Sequence, residues 1–382
     1  MLDTFGLLWQ RTWLKCASAT VIAVTFLPAQ EVSLFSENHI AAGSNPVSFA
    51  TGDFNGDGIP DLAVVNQQTA TIAVLLGLGY GFFRAPMNQV VGVGPVAVVA
   101  GDFNGDGKLD LAVANLNSNT VSLLLGNGNG TFRPGTNIVA FGPTSLAVGD
   151  FNADGKLDLV VTNVDFSTVS ILLGNGDGTF RPALSLAVGA RPLSVTAGDF
   201  NGDGHTDLAV ANTNSDNVSI LLGLGNAVFQ PARNFPAGQA PASITSGDFN
   251  HDGKLDLAVA NATGFSSTVS VLLGDGNGGF QNRLSFAAGI NPSYVRAADL
   301  NNDGNLDLVV ADSFSNTISI LRGLGDGFFL DAQSFVVGGA PTWIGVLDLT
   351  GDGKLDLVVA NSLSNTLSVL INSTAVSNPV SR

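Results

Sequence analysis

The sequence predicts an all-β protein, and three observations lead to this fold class. Glycine contributes 47 of the 382 residues, well above the usual share of about 7%. The apolar residues are rich in Val, Leu and Phe. Together with the excess of glycine, this composition suits many short strands joined by tight turns. The third observation is that one unit of four short apolar segments recurs along most of the chain.

The repeated unit is marked by an aspartate-rich segment. The residues Asp53-Phe54-Asn55-Gly56-Asp57-Gly58-Ile59-Pro60-Asp61 begin the first copy, and six further copies begin at Asp102, Asp150, Asp199, Asp248, Asp299 and Asp348. A proline stands seven residues before each first aspartate, as Pro46 does in the first copy. Seven units of this kind predict a seven-bladed β-propeller with four-stranded blades.

The elements of one blade can be assigned in order from the second unit. A first strand is expected from Pro95 to the aspartate-rich loop, and a second strand over 111–115. A third strand covers 120–125, and a glycine-rich turn follows at 126–130. A last alternating apolar stretch, such as 180–189 in the third unit, completes the blade.

The two ends of the repeat region complement each other. The seventh unit stops at Leu370-Ile371-Asn372, without the glycine-rich turn and fourth strand of the other units. The segment 40–43 near the start resembles 286–289, which ends a fourth strand. We therefore expect residues 32–43 to supply the outer strand of the last blade, which closes the ring and removes an open sheet edge.

The first 30 residues differ from the rest. Arg11 and Lys15 precede an apolar stretch from Cys16 to Leu27, an order that resembles a secretory signal peptide. A retained N-terminal membrane anchor is the alternative. The expected organisation is a leader over 1–30 and a propeller over 31–382, in a protein that is secreted or displayed at the cell surface. Cys16 is the only cysteine, so the chain after the leader has no disulfide.

The charge and the hydropathy pattern argue against two classes of protein, nucleic-acid binders and multi-span membrane proteins. The chain has 31 acidic and 15 basic residues, a net charge of −16 and a pI of about 4.2, so we expect no nucleic-acid ligand. The mean hydropathy of +0.33 would fit a membrane protein. No uninterrupted apolar run reaches the roughly 18 residues of a spanning helix, so we expect no transmembrane bundle.

The aspartate-rich loops carry the donor set that calcium prefers. Carboxylates stand at positions 1, 5 and 9 of the loop, an amide at position 3 and glycine at position 6, while position 7 offers its backbone carbonyl. A helix-loop-helix calcium site would need Glu at position 12, where Val64 and Val113 stand instead. The alternative is that some loops are metal-free hairpin turns.

Up to seven calcium ions are therefore predicted. The expected ligands, loop by loop, are Asp53, Asn55, Asp57, Ile59 and Asp61; Asp102, Asn104, Asp106, Lys108 and Asp110; Asp150, Asn152, Asp154, Lys156 and Asp158; Asp199, Asn201, Asp203, His205 and Asp207; Asp248, Asn250, Asp252, Lys254 and Asp256; Asp299, Asn301, Asp303, Asn305 and Asp307; and Asp348, Thr350, Asp352, Lys354 and Asp356. The seventh loop departs from the pattern, because Thr350 replaces the asparagine at position 3.

These motifs resemble a known family. The repeat Asp-Phe-Asn-Gly-Asp-Gly-Lys-Leu-Asp-Leu, together with Gly338-Gly339-Ala340-Pro341, is similar to the FG-GAP and VCBS repeats of integrin α-chain propellers and of many bacterial surface proteins. The resemblance covers roughly residues 32–382. It implies a seven-bladed propeller with calcium in the loops of one face and with partners or sugars bound on the other face or between blades.

One position breaks the sevenfold pattern. Two residues after the blade proline the first five units carry Ser or Ala, whereas the sixth and seventh carry Tyr294 and Trp343, with Arg296 two residues further on. This trio is predicted to bind a sugar ring or an acidic side chain on the face opposite the calcium loops. The alternative is that the larger side chains fill a gap near the ring axis or seal the contact between blades 6 and 7.

The predicted function is a non-catalytic adhesion or ligand-recognition module that acts as a monomer on a protein or carbohydrate ligand. With three histidines and no cysteine after the leader, the sequence offers no visible nucleophile or zinc site. Its Gly-x-Gly segments lie between strands rather than before a helix. A lectin-like propeller, a calcium-dependent polysaccharide-acting enzyme and a purely structural role remain as alternatives.

Overall fold

A computed structural model describes residues 31–263 and 267–375, and nearly all of its regular structure is β-strand. The predicted leader over 1–30 lies outside the described residues. Within them there are thirty strands and one short 3₁₀ helix, Thr213–Ser215. A search of the same residues for a helix long and apolar enough to cross a membrane finds none.

The strands follow the repeat. In chain order they are β1 (Leu34–Ala41), β2 (Pro46–Gly52), β3 (Asp61–Asn66), β4 (Thr71–Leu75), β5 (Gly77–Gly79), β6 (Phe82–Phe83), β7 (Met87–Val90), β8 (Pro95–Gly101), β9 (Asp110–Asn115), β10 (Thr120–Gly126), β11 (Phe132–Val139), β12 (Pro143–Gly149), β13 (Asp158–Asn163), β14 (Thr168–Leu172), β15 (Leu184–Ala187), β16 (Pro192–Gly198), β17 (Asp207–Asn212), β18 (Asn217–Leu221), β19 (Arg233–Pro236), β20 (Pro241–Gly247), β21 (Asp256–Asn261), β22 (Thr268–Leu272), β23 (Leu284–Ala287), β24 (Pro292–Ala298), β25 (Asp307–Asp312), β26 (Thr317–Leu321), β27 (Gln333–Val336), β28 (Pro341–Leu347), β29 (Asp356–Asn361) and β30 (Thr366–Asn372).

The predicted seven-bladed propeller is confirmed. Seven antiparallel four-stranded sheets form the blades, in the orders β2-β3-β4-β7, β8-β9-β10-β11, β12 to β15, β16 to β19, β20 to β23, β24 to β27, and β28-β29-β30-β1. The innermost strand of each blade begins at the blade proline and contacts the innermost strands of both neighbours, including β28 with β2. The ring is therefore closed.

The second strand of each blade forms the buried centre. All six residues of β3 are buried, as are those of its counterparts in the other blades. Leu62 and Val64 pack into a cluster shared with blade 7, whereas Ala63 and Val65 pack into one shared with blade 2. Because alternate side chains point to opposite faces of a strand, a continuous apolar run fills both gaps beside its blade.

The prediction that the N-terminal strand completes the last blade is also confirmed. Strand β1 pairs antiparallel with β30, from Leu34 opposite Asn372 to Ala41 opposite Thr366. The Ser373 N–H donates to the Ser33 carbonyl at 2.9 Å, and the Ser33 N–H donates to Thr374 Oγ1 at 3.0 Å. These bonds hold the two ends of the described chain side by side.

The direction of the strands defines two faces of the disc. The aspartate-rich loops join the first and second strands, and the glycine-rich turns join the third and fourth, so both lie on one side, here called the loop face. The turns between second and third strands lie on the other side, called the linker face, together with the segments that join blades. Both ends of the described chain lie on the loop face, because β30 ends and β1 begins there.

Candidate functional site

The first aspartate-rich loop is shaped by its own side chains. Asp53 Oδ1 accepts the N–H groups of Gly56 and Asp57 at 2.7 and 3.1 Å, and Asp53 Oδ2 accepts that of Gly58 at 2.8 Å. Asn55 Oδ1 accepts the Asp57 N–H at 2.9 Å. Gly56 and Gly58 have φ values of 79° and 80°, which L-residues rarely adopt. The short polar side chains therefore fold the backbone into a tight coil.

The same coil recurs around the ring. The position-6 N–H donates to the position-1 carboxylate in all seven loops, at 2.8 to 2.9 Å. At position 4, where the first loop has Gly56, Ala153, His251 and Asn302 take φ values of 54° to 59°. The left-handed backbone is thus kept without glycine. Thr350 also keeps the turn, since its N–H donates to Asp348 Oδ1 at 3.2 Å.

The position-9 aspartates have a structural role that the sequence analysis missed. In the fourth blade Asp207 is 0% exposed; its Oδ2 accepts the Phe200 N–H at 2.9 Å and its Oδ1 accepts the Gly223 N–H at 2.6 Å. The other six position-9 aspartates bond in the same way, with Asn372 replacing the glycine in blade 7. Each therefore joins its loop to the end of the third strand.

A sequence signal for this role exists. The first glycine of the glycine-rich turn follows the position-9 aspartate at a nearly constant distance, as Gly77 follows Asp61. A Cβ at Gly77 would lie 2.3 Å from the Pro60 carbonyl oxygen. The backbones approach too closely there for any other residue, which identifies the turn as a partner of the loop.

The three carboxylates of each loop are electrostatically coupled. Burial raises the pKa of Asp207 and Asp256 to about 6 and that of Asp307 to about 7. The negative charges at positions 5 and 1 raise the pKa further, while the two backbone N–H bonds lower it. A bound cation would offset both the desolvation cost of the buried carboxylate and the repulsion between the carboxylates.

The donor chemistry of the loops suits a cation. Carboxylate, amide and carbonyl oxygens surround each coil, and hard oxygen donors suit Ca²⁺. Within 31–263 and 267–375, no three acidic, imidazole or thiol side chains converge on a ready-made metal position. The oxygens instead accept backbone N–H groups. The residue types and their mutual repulsion fit calcium, and coordination would require the carboxylate oxygens to exchange some of these N–H bonds for the ion.

The loops of blades 1 to 5 are each also fixed to the next blade. The carbonyl of the position-2 residue accepts an N–H from the following glycine-rich turn, as Phe54 does from Gly130 at 2.8 Å. Its ring packs edge-on against the phenylalanine that ends that turn, with Phe54 and Phe132 centroids 5.6 Å apart. Four further ring pairs repeat this contact between adjacent blades. These loops therefore share both a hydrogen bond and a ring contact with the adjacent blade.

The structure brings Tyr294, Arg296 and Trp343 together. The Tyr294 and Trp343 rings stack with centroids 4.2 Å apart and planes inclined by 33°. Tyr294 is only 9% exposed, and burial raises its pKa while the Arg296 charge opposes that rise. Trp343 is half-buried and Arg296 is exposed. Both line a central cavity of about 460 Å³, together with Phe49, Thr51 and Val99.

The equivalent position in other blades shows why aromatics fit there. The hydroxyl of Ser145 accepts the Val195 N–H of the following blade at 3.4 Å, and those of Ser194 and Ser243 accept their counterparts at 3.3 and 3.2 Å. This position therefore faces the seam between blades. Between blades 6 and 7 the Tyr294–Trp343 stack takes the place of the serine bond, and Trp343 and Arg296 line the cavity.

A second polar and aromatic cluster lies on the linker face and was not foreseen. The rings of Phe141 and Phe166 meet edge-on at 5.3 Å and are 53% and 61% exposed. Beside them a cavity of about 620 Å³ is lined by Asn117, Asp165, Arg191 and other residues of blades 2 to 4. Its members come from three separate units, so no single motif could reveal it.

The repeated loops, now placed in blades, agree with a family match. A family model described as FG-GAP-like repeat matches residues 53–113, 102–161, 150–210, 199–259, 256–310 and 299–359. The chain belongs to this FG-GAP-like repeat family. Each matched segment runs from one aspartate-rich loop past the next, so the family pattern covers the loop, the second strand and the following blade's first strand. No curated protein sequence matches the chain.

Solved structures share the architecture of this FG-GAP-like propeller. The BBS1N chain of a BBS1N–ARL6DN complex has a TM-score of 0.65 at 14% identity, covering 90% of this chain and 98% of that one. An Agrocybe aegerita lectin that recognises non-reducing terminal N-acetylglucosamine has a TM-score of 0.52 at 20% identity, covering 77% and 80%. A Staphylococcus aureus virginiamycin B lyase has 0.59 at 12% identity, covering 89% and 98%. At these identities the likeness concerns the fold alone.

Proposed function

We propose that this FG-GAP-like propeller is a secreted or surface-displayed, calcium-binding recognition module without catalytic activity. The observation that carries the proposal is the sevenfold recurrence of one oxygen-rich coil with coupled carboxylates. Each ion would be held by positions 1, 3, 5 and 9 and by the position-7 carbonyl. Calcium would supply positive charge and cross-link the loop, and the contacts between position 2 and the next blade would spread its stabilisation around the ring.

The proposed ligand is the acidic side chain of a protein partner. Arg296 exposes its side chain to the central cavity beside Trp343, and a guanidinium is suited to bind a carboxylate through two hydrogen bonds. The BBS1N–ARL6DN complex shows that a protein with this fold associates with another protein. Replacing Arg296 with Lys should weaken binding of such a partner, and replacing it with Gln should abolish it.

The calcium proposal is tested by thermal unfolding of residues 31–382. This part contains every strand of the closed ring, so it is expected to fold without the leader. Millimolar CaCl₂ should raise the Tm strongly relative to excess EGTA, because ligands that bind only the native state stabilise it by mass action. Metal analysis should find several calcium ions per chain. Equal Tm values in both conditions, with no bound metal, would refute the proposal.

Carbohydrate recognition is a second candidate, favoured by the linker-face cluster. Exposed phenylalanine rings suit the apolar face of a sugar, while Asp165 and Arg191 offer hydrogen bonds to its hydroxyls. The lectin with the same fold is named for its recognition of a sugar. A glycan array should show binding that is lost in Phe166→Ala and kept in Trp343→Ala. Loss in Trp343→Ala alone would place the sugar in the central cavity.

A further inference from the structure

Five of the six glycine-rich turns fall into two chemical classes, and the sixth, in blade 5, has Asp275 and Gly279 at the two distinguishing positions. In blades 2 and 3 the second and sixth residues of the turn are polar, as in Gly174-Asn175-Gly176-Asp177-Gly178-Thr179. In blades 1, 4 and 6 both positions are apolar. The three apolar pairs are Leu78 and Phe82, Leu224 and Val228, and Leu324 and Phe328. We call these three pairs the apolar tips.

The backbone of the turn does not explain the apolar residues. In blade 4 the Leu224 N–H donates to the Val228 carbonyl at 2.8 Å, and in blade 3 the Asn175 N–H donates to the Thr179 carbonyl at 2.9 Å. The polar pair adds a side-chain bond, because Asn175 Nδ2 donates to Thr179 Oγ1 at 2.9 Å. The polar version therefore builds the same turn with an extra hydrogen bond.

All six side chains of the apolar tips are 44% to 54% exposed. Tyr80, midway between Leu78 and Phe82, is 71% exposed, and Phe35 of strand β1 in the adjoining blade 7 is 59% exposed. Phe328 also meets the Phe286 ring of blade 5 edge-on, with centroids 6.4 Å apart. Grouped exposed apolar side chains mark interaction surfaces, whereas single ones are common, and each tip groups two or more of them within one turn. The tips project beside the aspartate-rich loops, since the blade-4 turn bonds through Ala227 to the Phe151 carbonyl at 2.8 Å.

We propose that the loop face of the disc rests on a lipid bilayer, with the three apolar tips inserted at the headgroup boundary. The tips stand on separate blades: the turns of blades 2, 3 and 5 between them carry no apolar pair, and blade 7 has no such turn. A triangle drawn through blades 1, 4 and 6 encloses the ring axis. Separate apolar points suit a flat, fluid surface better than a folded partner, whose interface has one buried apolar core. The inference rests on the proposed calcium, because the loop aspartates lie on the same face and are neutralised only when the ions are bound.

The course of the chain supports a lipid surface as the occupant. The described chain begins at Glu31 on the loop face, where Ser33 bonds to Ser373 and Thr374. The 30 residues that precede it contain the apolar stretch from Cys16 to Leu27. The start of the described chain and the apolar tips thus lie on the same face. With that face on the bilayer, the linker face points away from the lipid.

The test is flotation of residues 31–382 with phosphatidylcholine vesicles. The decisive variant replaces the tips with the residues of the polar turns: Leu78→Asn, Phe82→Thr, Leu224→Asn, Val228→Thr, Leu324→Asn and Phe328→Thr. Because the polar turns already fold in blades 2 and 3, this variant should keep its circular dichroism spectrum, with a small fall in Tm from loss of the Phe286–Phe328 contact. We expect the native protein to float with the vesicles and the variant to lose at least about tenfold in partition coefficient.

A matched gain-of-function variant gives the converse. Asn175→Leu with Thr179→Phe adds a fourth tip in blade 3 and should strengthen flotation. The proposal is overturned if the native protein does not float, or if the six-residue variant floats equally well. It is also overturned if sedimentation without vesicles shows native dimers that the variant dissociates, since the tips would then bind a second copy. Each assay is run in CaCl₂ and in EGTA, so that a failure of calcium binding is seen separately in the Tm.

Discussion

One buried residue per blade marks the end of the second strand on the linker face. Six blades have asparagine there, and in blade 4 Asn212 Nδ2 donates to Ser219 Oγ at 2.8 Å. The Oδ1 atoms of all six asparagines have no hydrogen-bond partner within the described chain, so we expect a buried water molecule at each. Blade 6 has Asp312, which accepts a bond from Ser319 Oγ at 2.7 Å.

Asp312 is therefore expected to make stability depend on pH. Burial raises its pKa from 3.8 to about 6, so the folded state binds the proton more tightly than the unfolded state. The stability due to this proton is present below about pH 4 and is lost as the pH rises through 6. Asp312→Asn should raise the free energy of unfolding by roughly 2 to 3 kcal/mol at about pH 8 and by little at about pH 4.

Chemical denaturation at both pH values measures this difference. The control is Asn361→Asp in blade 7, which introduces the same buried carboxyl and should destabilise the protein at the higher pH. An equal effect of Asp312→Asn at both pH values would show that the carboxyl is not the cause.

Single residues also show which contacts could not be predicted from the sequence. The loop spacing indicated oxygen donors at Asp207, but its bond to Gly223 forms only after the third strand has paired. Tyr294 and Trp343 were correctly identified as equivalent positions, yet their stacking depends on the distance between two blades. Phe141 and Phe166 showed no pattern at all, because one lies in a linker and the other in a turn.

Among the elements, β1 is the one whose partner lies farthest along the chain. It covers the outer edge of β30 over seven residue pairs. Its assignment followed from comparing the incomplete last unit with the segment before the first one, so regular repetition made the most distant pairing in the fold predictable. The apolar tips could be seen in the sequence, but their common side of the disc required the strand directions.

Removal of residues 31–43 should open the ring. The edge of β30 would be exposed, and unpaired edges pair with other chains. We expect a lower Tm and concentration-dependent oligomers in analytical ultracentrifugation. A synthetic peptide of residues 31–43 should restore the monomer and most of the Tm, whereas a peptide with the same composition in scrambled order should not. A monomeric truncated protein with an unchanged Tm would contradict the role given to β1.

For the whole molecule, the distribution of charge matters more than its amount. Three aspartates in each of seven loops account for most of the 31 acidic residues, and all of them lie on the loop face. Lysines offset part of this charge, as Lys254 Nζ lies 3.4 Å from Asp252 Oδ2. These pairs are partly exposed to solvent, so each contributes little to stability.

The metal-free protein should consequently be stabilised by salt. Raising NaCl from about 0.05 M to about 0.5 M screens repulsion between exposed charges, so the Tm in EGTA should rise by several degrees. In saturating CaCl₂ the loops are neutralised and the rise should be much smaller. Scanning calorimetry at four salt concentrations in each buffer measures the two slopes. Equal slopes would mean that the ions do not reach the loops.

The pairing of β1 with β30 also sets an order of events during synthesis. Strand β1 leaves the ribosome first, but its partner emerges only after six blades have been made. Until β30 has been synthesised, blade 7 is incomplete and β1 has no strand to pair with. Two nascent chains held close together on one messenger could exchange these strands, each completing the other's last blade. Slow synthesis and a low local concentration of nascent chains therefore favour the closed monomer. High-level expression favours strand-exchanged dimers.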